Sequence, residues 1–224
     1  MTEEQKRMII AHRIAQELSH GDVVNLGIGL PTLVASFLPP GLDITFQSEN
    51  GFVGLGPDPA PGEEDPDLVN AGGKPVTIMP GGAFFDSALS FAIIRGGHVD
   101  VTVLGALEVD AQGNLASWMI PGKMVPGMGG AMDLVVGAKK VIVATSHTTK
   151  DGQPKLLKQC RLPLTAAGEV DMVVTELGVF SISGGSMVLH EKHPAWTVEK
   201  IRALTEAPLE VASGLKDMVL PVGV

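Results

Sequence analysis

The chain has 224 residues, of which 45% are hydrophobic and 18% are charged, a balance typical of a soluble globular protein rather than a disordered one. The net charge of −9 and the aromatic content of 4% argue against nucleic-acid binding, which relies on clustered cations and commonly on aromatic stacking. The single cysteine, Cys160, cannot form a disulfide or a cysteine-based zinc site within the chain.

The N-terminal segment predicts a helix. Thr2 and Gln5 have the spacing of a capping box, apolar residues recur at helical spacing from Ala11 to Leu18, and Gly21 is a suitable stop. This charged start lacks the apolar core of a signal peptide, and no apolar run in the sequence is long enough to span a bilayer. We therefore expect a cytoplasmic protein with no membrane contact.

Strand and helix patterns alternate along the rest of the chain. Short apolar runs predict strands at residues 23–26, 44–47, 76–79, 99–104, 140–144 and 170–175. Helices are predicted after Pro31, over 84–94, before 140 and over 198–204, with a surface loop at 54–73 and a hairpin turn at 110–114. The alternation predicts a single α/β domain over residues 1–224, with a mostly parallel sheet and helices on both faces.

Glu49 stands at the end of the predicted strand 44–47, directly before Asn50 and Gly51. Asn-Gly is a strong hairpin signal, so a plain turn is one interpretation, and spacing alone favours it. In the other interpretation, the carboxylate lies at the carboxyl-end edge of a parallel sheet, where ligands collect. There it could attack a thioester carbonyl and form a covalent intermediate.

Residues 126–133, here called the glycine segment, contain Gly127, Gly129 and Gly130. The segment fits a flexible turn. It also fits an oxyanion site, because successive glycines let backbone amides converge on one anion without a Cβ in the way.

Three further features bear on ligand binding. Gly27 and Gly29 follow the first strand, but Thr32 stands where the dinucleotide fingerprint needs its third glycine, so NAD is excluded and a turn for another phosphate- or pantetheine-bearing ligand stays open. Asn25 fits either a contact to a pantetheine amide or support of this turn. Lys74 fits either a phosphate contact or a solvated surface lysine.

His190 and His193 lack further ligands nearby, and no metal site is predicted.

The motifs taken together point to a known family. They are residues 24–32, 47–51, 54–57, 105–110, 113–116, Trp118 and 126–134. In this order they closely resemble the B (beta) subunit of family I 3-oxoacid CoA-transferases, the group that includes the succinyl-CoA:3-ketoacid and acetate/butyrate–acetoacetate enzymes. The resemblance runs essentially from end to end, and Ser-Glu-Asn-Gly combined with the glycine segment is its most specific part.

The resemblance implies the NagB/RpiA/CoA-transferase-like fold and a ping-pong mechanism. Glu49 would be the nucleophile that carries CoA as a glutamyl-CoA thioester, and the amide of Gly130 would help to form the oxyanion site. Positions implied to contact CoA or substrate are Asn25, Gly27, Gly29, Asn50, Lys74 and Gly129. CoA would be a substrate, with no permanently bound cofactor.

The resemblance also implies a partner. A second oxyanion donor, a glutamine, would belong to the alpha subunit of the same enzyme, so we expect a heterodimer or heterotetramer with a large, mostly apolar interface. Two alternatives stay open: a sugar-phosphate isomerase or deaminase on the same fold, and a non-catalytic regulatory subunit. The sequence leaves open which acyl-CoA and which acid are used.

Overall fold

The computed structural model describes residues 1–125 and 127–223. Its helices are α1 (Glu3–Ala15), a 3₁₀ helix (Pro31–Phe37), α2 (Ser87–Arg95), α3 (Ala131–Gly137) and α4 (Val198–Ala203). Its strands are β1 (Val23–Leu26), β2 (Thr45–Ser48), β3 (Phe52–Leu55), β4 (Ile78–Phe84), β5 (Val101–Gly105), β6 (Glu108–Asp110), β7 (Leu115–Ala116), β8 (Lys140–Ala144), β9 (Leu156–Leu157), β10 (Met172–Val174), β11 (Gly178–Ser183), β12 (Ser186–Lys192) and β13 (Leu209–Asp217).

A ten-stranded sheet organises the described residues, with the strand order β13-β12-β11-β10-β8-β5-β1-β2-β3-β4. The five central strands, from β10 to β2, are all parallel. Antiparallel pairs flank them on both sides. A small second sheet has the order β7-β6-β9. The prediction of an α/β fold with a mostly parallel sheet is confirmed.

Helices cover both faces of the central strands. Along β8, Val141 and Val143 belong to one apolar cluster, and Ile142 and Ala144 belong to the other, as strand alternation requires. The first cluster includes residues of α2, α3 and α4, such as Ile94, Leu134 and Ile201. The second includes residues of α1 and the 3₁₀ helix, such as Ile10, Ile14 and Val34. None of the described helices is long and apolar enough to cross a membrane.

Helix α1 confirms its predicted start but not its predicted end. Thr2 Oγ1 accepts a hydrogen bond from Gln5 N, and Gln5 Oε1 accepts one from Thr2 N, so the capping box is present. The helix ends at Ala15, where the amide of Gln16 donates back to the carbonyl of Arg13. Gly21 serves a later turn into β1, with a φ of 87° that favours glycine.

Two predicted boundaries were wrong. The strand predicted over 76–79 is β4, which continues to Phe84, and the helix predicted from Phe84 begins at Ser87. Asp86 determines this start, because its side chain accepts a hydrogen bond from the amide of Leu89 at 2.8 Å. The hairpin β11–β12 and the strand β13 were not predicted; they extend the sheet beyond its parallel centre. The turn at 110–114 is confirmed by the antiparallel pair β6–β7.

A buried ion pair joins α1 to strand β12. Arg13 Nε and Nη2 donate to the two carboxylate oxygens of Glu191 at 2.7 and 2.9 Å, and Nη2 lies 2.7 Å from Glu17 Oε1. The side chains of Arg13 and Glu191 are 8% and 6% exposed. Such a bidentate pair fixes the helix on the sheet, since either charge left alone in this environment would be costly.

Candidate active site

Glu49 lies on the turn between β2 and β3, at the edge where the parallel strands end. Ser48 pairs with Phe52, so Glu49, Asn50 and Gly51 form a three-residue loop. The amide of Gly51 donates to the carbonyl of Ser48 at 3.1 Å, and a Cβ on Gly51 would overlap the carbonyl oxygen of Phe85. Both sequence interpretations therefore describe the same segment: it is a hairpin turn, and it lies at the ligand-binding edge of the sheet.

The carboxylate of Glu49 is held against the glycine segment. Gly130 N donates to Glu49 Oε1 at 3.0 Å, although the two residues are 81 positions apart. A Cβ on Gly130 would lie 3.0 Å from Glu49 Cδ, and one on Gly129 would lie 3.2 Å from Glu49 Oε1. The glycines thus permit an approach that a side chain would block. Pro126, the first residue of the glycine segment, lies outside the described residues.

The side chain of Asn50 stabilises the Glu49 turn through two hydrogen bonds. Its Nδ2 donates to the carbonyl of Val69 at 2.7 Å, and its Oδ1 accepts from Ser48 Oγ at 2.6 Å. The amide of Ala71 donates to Ser48 Oγ at 3.3 Å. These bonds tie the Glu49 turn to the loop of residues 69–75, which carries Lys74.

Asn25 lies in the core between β1 and β2. It is 2% exposed, and its Nδ2 donates to Gln47 Oε1 at 2.7 Å and to the Gln47 carbonyl at 3.2 Å. Gln47 Nε2 in turn donates to Ser90 Oγ at 3.1 Å. The three side chains link β1, β2 and α2 next to the Glu49 turn. The Oδ1 of Asn25 has no hydrogen-bond partner among the described residues. A contact from Asn25 to CoA stays a prediction.

The other predicted ligand contacts lie along the same edge. A Cβ on Gly27 would lie 3.0 Å from the carbonyl oxygen of Val103, and Gly29 has a φ of 91°, so this turn needs both glycines for different reasons. Lys74 is exposed, and its Nζ lies 2.6 Å from Asp58 Oδ2. The loop of Lys74 approaches the turn after β1, because a Cβ on Gly72 would lie 3.5 Å from the side chain of Ile28. Their roles in CoA binding stay predictions.

Sequence reasoning missed a polar cluster after β8 and β10. His147 is buried between two hydroxyls, with Nδ1 3.0 Å from Thr175 Oγ1 and Nε2 2.9 Å from Thr205 Oγ1. Burial lowers the pKa of His147 to about 4, so the ring is neutral at pH 7. Glu176 accepts from His147 N at 2.9 Å, and burial raises the pKa of its carboxyl. The available signal was the polar run directly after strand 140–144.

The cluster does not suggest metal chemistry. Among residues 1–125 and 127–223, no group of three or more His, Cys, Asp or Glu side chains could hold a metal ion. The thiol of Cys160 is not an activated nucleophile, because burial and the nearby Asp110 raise its pKa. Glu49 is half-buried at the sheet edge and hydrogen-bonded to an amide, and its role as the nucleophile stays a prediction.

Comparison with known proteins identifies the class. The profile of the family described as coenzyme A transferase matches residues 7–204, so the chain belongs to this family. The beta subunit of the acetate CoA-transferase of Escherichia coli (strain K12) is 59% identical to it over 206 residues, covering 92% of this chain and 94% of that protein. The B subunit of the probable succinyl-CoA:3-ketoacid coenzyme A transferase of Bacillus subtilis (strain 168) is 50% identical over 215 residues, covering 96% and 99%.

A solved structure supports the same fold. The apoenzyme of an acyl-CoA transferase from Escherichia coli O157:H7 superposes with a TM-score of 0.77 at 24% identity, covering 98% of this chain and 44% of that chain. This chain thus spans less than half of that longer protein. The predicted fold family is confirmed, and so is the prediction that the chain is the B (beta) subunit of a CoA-transferase.

Proposed function

We propose that Glu49 is the nucleophile of a reaction that moves CoA from an acyl-CoA, such as succinyl-CoA, to a 3-oxoacid or a short-chain carboxylate. The observation that carries the proposal is the 3.0 Å hydrogen bond from Gly130 N to Glu49 Oε1 at the carboxyl-end edge of the sheet. The substrate class rests on the names of the relatives, one an acetate and one a succinyl-CoA:3-ketoacid transferase. CoA acts as a substrate, with no permanently bound cofactor.

The proposed chemistry needs no outside reductant, oxidant or net proton. A carboxylate oxygen of Glu49 attacks the thioester carbonyl of the acyl-CoA, and the CoA thiolate leaves, which forms a mixed anhydride. The thiolate then attacks the Glu49 carbonyl carbon, and the acyl group departs as a free carboxylate. This leaves a glutamyl-CoA thioester, and a second acid reverses the two steps.

The hydrogen bond from Gly130 gives the two carboxylate oxygens of Glu49 different roles in the proposed reaction. Oε1 accepts the hydrogen bond from the amide and is the oxygen that becomes an oxyanion when thiolate attacks the Glu49 carbonyl. Oε2 is left to attack the substrate. The amide therefore orients the nucleophile in the first step and stabilises charge on the same residue in the second.

Substitution of Gly130 by alanine should slow the reaction without unfolding the chain. Gly130 has a φ of −85°, which alanine adopts without strain, but the new Cβ would lie 3.0 Å from Glu49 Cδ and would push the carboxylate aside. Displacements of about 1 Å can reduce rates about 100-fold, so we expect a loss of that order in kcat. The matched control is Gly214→Ala, where a Cβ meets nothing within 4 Å. Equal kcat in the two variants would contradict the role of this contact.

An alpha-subunit partner belongs to the proposal, since the relatives are named as subunits. Apolar side chains are exposed on elements around the site, among them Met79 (51%), Phe84 (65%), Leu89 (51%) and Val136 (65%). A surface of this kind fits a protein interface. We infer that the alpha subunit covers it in a heterodimer or heterotetramer, supplies the second oxyanion donor, and acts with this chain in the cytoplasm.

Intact mass spectrometry of the complex tests the proposed function. Incubation with an acyl-CoA should increase the mass of this chain by one CoA less one water, and peptide mapping should place the adduct on Glu49. Addition of the acceptor acid should remove it. Turnover with no adduct would indicate direct transfer in a ternary complex, and no adduct together with no turnover would favour the regulatory alternative.

A further inference from the structure

A cavity of about 250 Å³ opens at the same sheet edge as Glu49 but over different strands. Its walls are the ends of β5 and β8, the first turns of α1 and the segment after β1. Ile28, which stands between this cavity and the loop of Gly72, connects it to the candidate active site. The volume is sufficient for a small ligand group.

Cations dominate the wall of this cavity. Lys6, Arg7 and Lys155 line it together with a single carboxylate, Glu3, so the wall carries two more positive than negative charges. Glu3 already pairs with Lys6 at 2.6 Å. Arg7 is exposed and makes no ion pair with the described residues. The excess charge therefore lies on Arg7 and Lys155.

Lys155 is a largely buried ammonium group with neutral partners. Its Nζ donates to the Ala106 carbonyl at 2.6 Å and to Thr145 Oγ1, and it forms no ion pair with a described carboxylate. Burial lowers the pKa of Lys155 to about 8, against the attraction of the Glu176 carboxyl, whose own pKa is raised by burial. A buried charge without a counter-ion is unfavourable, and an anion in the cavity would relieve it.

The attraction of this cavity for an anion comes from side chains and not from the N-terminus of α1. Thr2 and Gln5 already satisfy each other's backbone amides in the capping box of α1. The hydroxyls of Thr145 and Ser146, on the opposite wall, already donate to the carbonyls of Ala106 and Thr148 at 3.1 and 2.9 Å, so the charged nitrogens are the donors left for an anion. The two cations that have no carboxylate partner in the described part of the chain, Arg7 on α1 and Lys155 on the opposite wall, suit a ligand with several charged oxygens.

We propose that this cavity binds a phosphate group, with Arg7 and Lys155 as its main ligands. A phosphate ester carries roughly two negative charges at pH 7, which matches the excess on the wall better than the single charge of a carboxylate does. The ends of β2 and β8 are three strand positions apart, roughly 14 Å at the usual strand spacing, so this site is separate from the acyl-transfer centre. The phosphate is that of CoA or a free phosphate; the CoA source alone rests on the proposed function.

Calorimetric titration of the complex with inorganic phosphate, at constant ionic strength maintained with chloride, tests the site without any turnover. Saturable binding is expected in the unmodified protein. Arg7→Gln should weaken it by about tenfold or more, because a hydrogen bond between charged groups is lost. Lys139→Gln is the control, since Lys139 is an exposed cation before the start of β8, at the opposite end of that strand from the cavity. Lys155→Met provides a second variant with a similar expected loss.

Two kinetic measurements, competition by inorganic phosphate and the KM for acyl-CoA, identify the source of the phosphate. If it belongs to CoA, inorganic phosphate competes with acyl-CoA, and Arg7→Gln raises KM for acyl-CoA with kcat unchanged. If it is a free phosphate, it binds without competition and KM does not change. Absence of saturable phosphate binding, or equal affinity in Arg7→Gln and Lys139→Gln, would overturn the proposal. Neither result would bear on the Glu49 adduct, which is measured separately.

Discussion

Replacement of Glu49 by glutamine should abolish acyl transfer while the chain folds and pairs with its partner normally. Glutamine keeps the size of the side chain and can still accept a hydrogen bond from Gly130 N, but it has no anionic oxygen to attack a thioester. Glu49→Asp keeps the charge and retracts it by one methylene, about 1.5 Å. Since misplacements near 1 Å can reduce rates roughly 100-fold, the aspartate variant should be severely impaired.

Acyl transfer and melting temperature should be measured side by side in both variants. If Glu49 were only a turn residue, each variant would keep near-normal turnover, and any loss would follow stability. Intact mass must first exclude deamidation of the glutamine back to glutamate. Activity retained in verified Glu49→Gln would refute the central proposal.

The largest loss of stability should come from Arg13→Met. This change removes the cation that pairs with Glu191 and Glu17, and it leaves Glu191 with Lys216 at 3.2 Å and Glu17 with Lys140 at 2.7 Å. Breaking a buried ion pair costs about 3–5 kcal/mol when the remaining charge is uncompensated, and with the two lysines in place we expect a loss at the lower end, about 3 kcal/mol. In a protein of this size that lowers Tm by roughly 10 °C. Lys139→Met is the control, because the Lys139–Asp100 pair lies at the surface and should contribute at most about 1 kcal/mol.

The same ion pair predicts a difference in acid sensitivity. Burial alone would raise the pKa of Glu191, but its hydrogen bonds and charge attraction to Arg13 and Lys216 together hold that pKa below its ordinary value. A lowered pKa in the folded state gives stability that is present above the unfolded pKa and is lost as pH falls through the folded pKa. Unfolding at a series of pH values should thus show a steeper acid loss in the unmodified chain than in Arg13→Met. Parallel curves would contradict this assignment.

Sequence patterns correctly predicted the elements that residues close together in the chain determine. The capping box of Thr2 and Gln5, the β1 strand and the turn at 110–114 depend on neighbouring residues, and the structure confirms all three. The predicted start of α2 was wrong. Phe84 is apolar enough for a helix, but it pairs with Phe52 in β4, and the helix is capped by Asp86. Tertiary pairing outweighed propensity there.

Long-range contacts could not be inferred from spacing. Nothing between residues 49 and 130 indicates that the Glu49 carboxylate meets the Gly130 amide. The family resemblance implied that both residues belong to one site, and the structure shows the contact between them. The burial of Asn25 against Gln47 and the cluster of His147 with Thr175 and Thr205 also depend on neighbouring strands and loops. Single polar residues give no periodic signal, so such clusters are visible only in three dimensions.

The parallel centre of the sheet also bears on how the chain folds. Each neighbouring pair from β2 to β10 is joined through a crossover, and the pairing order differs from the chain order, so the contacts that define the core are distant in sequence. Folding of such topologies is slow, because chain entropy is lost before the pairing interactions form. Glu49 gains its amide donor when β2, β1, β5 and the start of α3 have come together. The recovery of this hydrogen bond therefore reports on the assembly of β2, β1 and β5 with the start of α3.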